Sequence, residues 1–193
     1  MHLKQLVLVV MAALVMNKSV HAENFRTLIS ENEIKDRITQ IANQLDQDYQ
    51  DQEIVLIMVM KGAICLVADL IREIKAPCTL EYVRASSYGQ NGTKAGALTL
   101  QGVENLSLFG RHVVIVDDIF DTGHTMSEIK KELAKQQPAS LKTLVLLLKN
   151  KVRSIGDLPD YALFTIEDEF VIGYGLDYKE LYRGLPGIYI FEN

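Results

Sequence analysis

Seven consecutive apolar residues, Ile54 to Met60 (IVLIMVM), constrain this chain more than any other stretch. A strand with one wet face alternates apolar and polar side chains, so an unbroken run of seven needs cover on both faces. Val113 to Val116 and Leu144 to Leu148 repeat the pattern, and Tyr161 to Ile166 reads as a further strand. Leu80 to Arg84 (LEYVR) alternates and reads as one more. Helical patterns stand between them. Ser30-Glu31-Asn32-Glu33 has the form of a capping box, and Ile34, Ile38, Ile41 and Leu45 follow at helical spacing. Ile64 to Arg72 and Ser127 to Gln136 read as two more helices, the latter with Met126, Ile129 and Leu133 turned inward. Strands alternating with helices predict an α/β fold with a mostly parallel sheet. Ligands of such sheets lie beyond the carboxyl ends of the strands, where Lys61, Asp117, Asp118 and Lys149 fall.

The 193 residues, 48% hydrophobic, suffice for one domain with a substantial core. Residues 1–22 differ from the rest: a basic start at Lys4, an apolar run from Leu6 to Met16, and an end on Val20-His21-Ala22. That is the layout of a secretory leader, or of a start placed too early, and the run is too short to span a bilayer. The single domain is expected over 23–193. A formal charge of −5 argues against a nucleic-acid-coating surface. Cys65 and Cys78 have no metal-like spacing and read as free thiols. From Ser86 to Gly102 the sequence is small and polar, with four glycines, and is expected to be a structureless loop or lid.

The chemistry concentrates at Val113 to Met126 (VVIVDDIFDTGHTM). Thr122-Gly123-His124-Thr125 lies between a buried strand and a helix. Glycine lets successive N–H groups converge, the helix start adds its positive dipole end, and threonine hydroxyls add donors. The result is an anion cradle suited to a phosphate monoester. Asp117 and Asp118 stand too near it to meet a phosphate, so they should meet neutral hydroxyls or a divalent cation. A ribose 5-phosphate satisfies both halves. A phosphate-loop nucleotide hydrolase would need G-x-x-x-x-G-K-[ST], which is missing. A phosphoacceptor domain would carry its acids on the first strand, whereas two strands precede them here.

DDIFDTGHT resembles the phosphoribosyl-pyrophosphate motif of purine phosphoribosyltransferases, and its third acid, Asp121, resembles the 6-oxopurine branch. Met60-Lys61-Gly62-Ala63, Ser86-Ser87-Tyr88-Gly89, Leu148-Lys149 with Arg153, and Glu169 to Tyr178 with Arg183 follow in the family's order, so the similarity runs from about Phe25 to the end. The chain is similar to hypoxanthine-guanine phosphoribosyltransferases of bacterial type. The resemblance implies a Rossmann-like sheet with a small hood made by the terminal segments. It implies transfer of a phosphoribosyl group from phosphoribosyl pyrophosphate to N9 of hypoxanthine or guanine, with Mg2+.

By that pattern Lys61 and Gly62 form the pyrophosphate loop, often after a cis peptide, and Arg183 contacts pyrophosphate. Asp117, Asp118, Asp121, Thr122, Gly123, His124 and Thr125 bind the phosphoribosyl part. Asp177, with Asp117 and Asp118, serves the metal, and Asp121 is the candidate general base near N7. Phe170 would stack on the purine, the Val171 backbone would meet its edge, and Lys149 would donate to its 6-oxygen. Ser87 and Tyr88 become a lid that excludes water. His124 departs from the family's usual lysine or asparagine. The resemblance implies a homodimer or homotetramer with no nucleic-acid or membrane partner. An RNA-binding regulator on the same fold would want a basic face and no acid at 121. Because phosphoribosyl pyrophosphate is made and used in the cytosol, a cytoplasmic enzyme is expected, with residues 1–22 absent or poorly packed. Preference among hypoxanthine, guanine and xanthine is open.

Overall fold

The computed structural model describes residues 25–87, 98–151 and 158–191. Residues 1–22, Tyr88 with its following glycines, and Arg153 lie outside them. Six strands form the main sheet: β2 (Ile54–Met60), β3 (Cys78–Ser87), β4 (Leu98–Gln101), β5 (His112–Phe120), β6 (Ser140–Lys149) and β7 (Tyr161–Ile166), in the order β4-β3-β2-β5-β6-β7. All neighbours are parallel except β3 and β4. Three further strands, β1 (Phe25–Ile29), β8 (Val171–Ile172) and β9 (Ile188–Phe191), make a small antiparallel sheet in the order β1-β9-β8. This is the hood, built from both ends of the described chain.

The apolar runs behave as their composition requires, since alternate residues of one strand enter opposite layers. Ile54 and Leu56 of β2 face α1 (Glu31–Tyr49) and α2 (Ile64–Glu73), together with Ile34, Ile38, Leu45, Leu66 and Leu70. Val55 and Ile57 face α3 (His124–Ala134), whose Met126, Ile129 and Leu133 close the other layer. The capping box forms at the start of α1. The Glu33 N–H donates to Ser30 Oγ at 3.4 Å, and the Ser30 N–H donates to Glu33 Oε2 at 2.8 Å.

Three sequence expectations need correction. The stretch from Ser86 to Gly102 is not structureless at its ends: Arg84 to Ser87 pair with Gln101 to Leu98 as an antiparallel ladder. The alternation Leu98-Thr99-Leu100-Gln101 supplies a strand at the sheet edge, with Leu100 packed on the α3-side core. Asp117 and Asp118 do not end their strand, because β5 runs on to Phe120 and stays paired with β6 through Leu148. Helix α3 begins at His124 rather than Ser127, immediately after Gly123. No described helix is long and apolar enough to cross a membrane.

Candidate active site

The strand order reverses at β2, which has β3 on one side and β5 on the other. The carboxyl ends of β2 and β5 therefore flank the crevice where open α/β sheets bind ligands. A cleft of about 380 Å³ opens there. Lys61, Gly62, Asp117, Asp118, Asp121, Thr122, Gly123, Thr125, Asp177 and Arg183 line it. Most of the residues singled out in the sequence thus meet in one place. Exposed His124 does not line it.

The glycine turn, read from the sequence as an anion cradle, starts from Gly123. Its φ of +83° is the left-handed conformation that glycine tolerates, and a Cβ there would stand 2.7 Å from the buried Phe120 ring. The turn hands directly to α3, so His124 and Thr125 occupy the helix's first turn and their N–H groups belong to its electropositive end. The His124 N–H also reaches Thr122 Oγ1 at 3.4 Å.

Across the cleft, the Met60–Lys61 peptide is cis. Gly62 packs directly on the acid pair, for a Cβ on it would lie 1.7 Å from Asp118 Oδ2. Burial pushes the Asp117 carboxyl well above the usual carboxylate range, and the neighbouring Asp118 charge adds to this. Burial raises Asp118 as well, partly offset by Asp117, the Ile119 N–H and the Arg183 charge. Two adjacent acids with disfavoured charges form a place that welcomes a cation or hydroxyl donors. Among the described residues no three carboxylates, imidazoles or thiols gather into a ready-made metal cage. The acid pair and Asp177 suit a hard cation that draws its other ligands from a phosphorylated substrate, the usual habit of magnesium.

The charged side chains opposite the acids are paired with one another. Arg183 contacts Asp177 at 2.6 Å and donates to the Gly175 carbonyl at 2.7 Å. Lys61 Nζ donates to Glu180 Oε2 at 2.8 Å, and the Glu180 N–H donates to Asp177 Oδ2 at 2.8 Å. Glu180 was not singled out in the sequence, since nothing in its spacing distinguishes it from a solvated charge.

Lys149, Phe170 and Val171 lie beside this cleft rather than in its lining. Lys149 ends β6, its side chain is 13% exposed, and its ammonium donates to Asp168 at 2.8 Å. Phe170 is 55% exposed and meets Tyr178 edge-on at 5.7 Å, so it is not a core aromatic. Val171 opens β8 and is buried. Ser87 ends β3 opposite Leu98. Lys151 links these groups: it forms an ion pair with Asp121 and reaches Asp168 at 3.4 Å.

The profile of the phosphoribosyl transferase domain matches residues 28–179. The chain belongs to this family. A hypoxanthine-guanine phosphoribosyltransferase of Aquifex aeolicus is 34% identical over 177 residues, covering 91% of this chain and 99% of that protein. A hypoxanthine-guanine-xanthine phosphoribosyltransferase of Tritrichomonas foetus is 37% identical over 169 residues, covering 86% and 91%. The crystal structure of a hypoxanthine-guanine phosphoribosyltransferase from Bacillus anthracis, with HEPES in its active site, superposes with a TM-score of 0.82 at 38% identity. It covers 87% of this phosphoribosyltransferase and 99% of the Bacillus chain.

Proposed function

We propose that this phosphoribosyltransferase salvages 6-oxopurines, moving the 5-phosphoribosyl group from phosphoribosyl pyrophosphate to N9 of hypoxanthine or guanine. The products are IMP or GMP and pyrophosphate. The observation that carries the reading is the single switch-point cleft, which opposes an anion cradle and acid pair to Lys61, Asp177 and Arg183.

In this reading the 5-phosphate rests on the turn N–H groups and threonine hydroxyls of Thr122 to Thr125, while Asp117 and Asp118 accept from the ribose hydroxyls. Lys61, the Gly62 backbone and Arg183 receive pyrophosphate, for which Lys61 and Arg183 exchange their present carboxylate partners. N9 attacks the ribose carbon as the bond to pyrophosphate breaks, its electron pair leaving with the pyrophosphate. Asp121 takes the proton from N7. Magnesium on Asp177 and the acid pair would offset the charge that builds on the leaving group. Lys149 donates to the 6-oxygen, the Val171 backbone meets the purine edge, and half-open Phe170 offers its face for stacking. We further place the enzyme in the cytosol, where its substrate is made, as a homodimer or homotetramer; sedimentation velocity measures the latter.

The test is direct. Protein, phosphoribosyl pyrophosphate, magnesium and each of hypoxanthine, guanine, xanthine and adenine are mixed, and pyrophosphate release is followed. Turnover with hypoxanthine and guanine is expected. No pyrophosphate with either would overturn the reading.

A further inference from the structure

Among the described residues, four charged side chains of alternating sign cross from the cleft to the end of β6: Asp121, Lys151, Asp168 and Lys149. They come from three separate segments, namely the β5–α3 turn, the end of β6 with the residues just after it, and the β7–β8 connection. Lys151 stands between the two acids with its side chain 24% exposed, while Asp121 and Asp168 are about half exposed. Its backbone is rooted by its neighbour Asn150, whose N–H donates to the Ile166 carbonyl at 2.7 Å and whose side chain reaches Glu167 at 3.2 Å.

The proposed reaction makes a particular demand on the outer two groups. N7 and the 6-oxygen project side by side from one edge of the purine. A carboxylate must therefore meet N7 while an ammonium meets the oxygen beside it. Left alone, two such groups of opposite charge would close on each other, and the base would have to break their ion pair to enter. An intervening ammonium and carboxylate remove that tendency, because Asp121 is already paired with Lys151 and Lys149 with Asp168.

We propose that Lys151 is a positioning residue for the transfer step, holding the Asp121 carboxylate apart from Lys149 by pairing with it and with Asp168. This rests on the reading of Asp121 as the acceptor of the N7 proton. The Asp121 carboxylate raises the Lys151 ammonium above its ordinary pKa, against a smaller burial penalty, and Asp168 adds to the rise. Lys151 therefore stays charged wherever the enzyme works. Lys149, followed by Lys151, lowers the Asp168 carboxyl, which keeps the other link of the chain ionised too.

Lys151→Met keeps the stem and removes the charge. Its kcat for hypoxanthine should fall about 10–100-fold, the scale set by a misplaced reacting group. KM for phosphoribosyl pyrophosphate should stay within about twofold, since none of the proposed phosphate contacts involves Lys151. Lys151→Arg should recover most of the loss. The deciding comparison places Lys151→Met in an Asp121→Asn background, where it should cost little more, because the group it positions is already disabled. An equal further loss in that background, or a single-variant kcat within twofold of the parent enzyme, would sink the proposal. Asp121→Asn measured alone keeps the two readings apart. If it turns over within a few-fold of the parent enzyme, Asp121 is not the base and both readings fall; if it is crippled, only the role of Lys151 is at stake.

Discussion

Gly62 is the position where the smallest chemical change should have the largest effect on the phosphoribosyl half of the site. In Gly62→Ala the new Cβ would stand 2.2 Å from the Asp118 carboxyl carbon, and ordinary contact begins at 3.4 Å. The carboxylate must retreat by more than an ångström. Its Oδ1 accepts the Ile119 N–H at 2.9 Å, a bond that such a swing breaks. That costs about 1 kcal/mol, and crowding of a packed site costs about 1–3 kcal/mol. Together these make about 2–4 kcal/mol, so for a domain of this size the melting temperature should drop by about 4–16 °C. Catalysis should suffer more, because an ångström of misplacement costs about 10²-fold. We expect kcat/KM for phosphoribosyl pyrophosphate to fall by about that factor, with KM for hypoxanthine little changed. Steady-state kinetics varying each substrate in turn, beside a thermal melt, measures both effects. A variant that melts lower yet keeps kcat/KM within threefold would show that the Asp118 carboxylate is not needed where it stands.

Asp121→Asn keeps the shape of the side chain and loses the proton acceptor, so kcat should fall about 10²–10⁴-fold while phosphoribosyl pyrophosphate binding, read by calorimetry, holds. Lys149 can only donate, so adenine should be rejected by up to about 10⁴–10⁵-fold relative to hypoxanthine. Lys149→Gln, which can also accept, should narrow that gap, and an unchanged ratio of kcat/KM values would remove Lys149 from base selection. At the far edge of the sheet the Tyr161 hydroxyl, with Lys142, holds the Asp48 carboxyl below its ordinary value near 3.8. A depressed carboxyl stabilises the fold above that value and loses its contribution as pH falls through the lower native value. The melting temperature of Asp48→Asn should therefore lie about 1–3 °C below the parent at pH 6, for a contribution under about 1 kcal/mol at a partly exposed pair. The difference should narrow as pH falls below 3.8 and close once the native carboxyl is itself protonated.

What the sequence discloses is what short-range pattern can carry. Ile54 to Met60 and Tyr161 to Ile166 match their strands end to end, because burial on both faces writes an unbroken apolar or strand-forming run. The glycine turn at 123 is legible for the same reason, as its conformation depends on its own few residues. The hood is different. Its strands FRTLI, VI and IYIF are short, and what defines them is pairing between opposite ends of the chain. No local period reports that. Strand β4 was hidden by the glycines before it. At the site, the pairing of Lys61 with Glu180 joins residues 119 positions apart, and Lys151 with Asp121 and Asp168 joins three segments. Such partners are set by topology, and lysines and glutamates carry no mark in the sequence to separate them from solvated surface charge.

Within the hood, Phe25 lies directly across the ladder from Phe191, and the same β9 that holds β1 also holds Val171. The hood is therefore a seam between early and late parts of the described chain as it emerges from the ribosome. The cradle and acid pair are complete once residue 125 is made, whereas β8 finds its neighbour only when β9 follows it some sixteen residues on, and β1 waits throughout. A short peptide joining 191 to 25, with new ends opened at an exposed turn such as that of Phe109 and Gly110, would change this order of assembly while leaving every ladder of the hood in place.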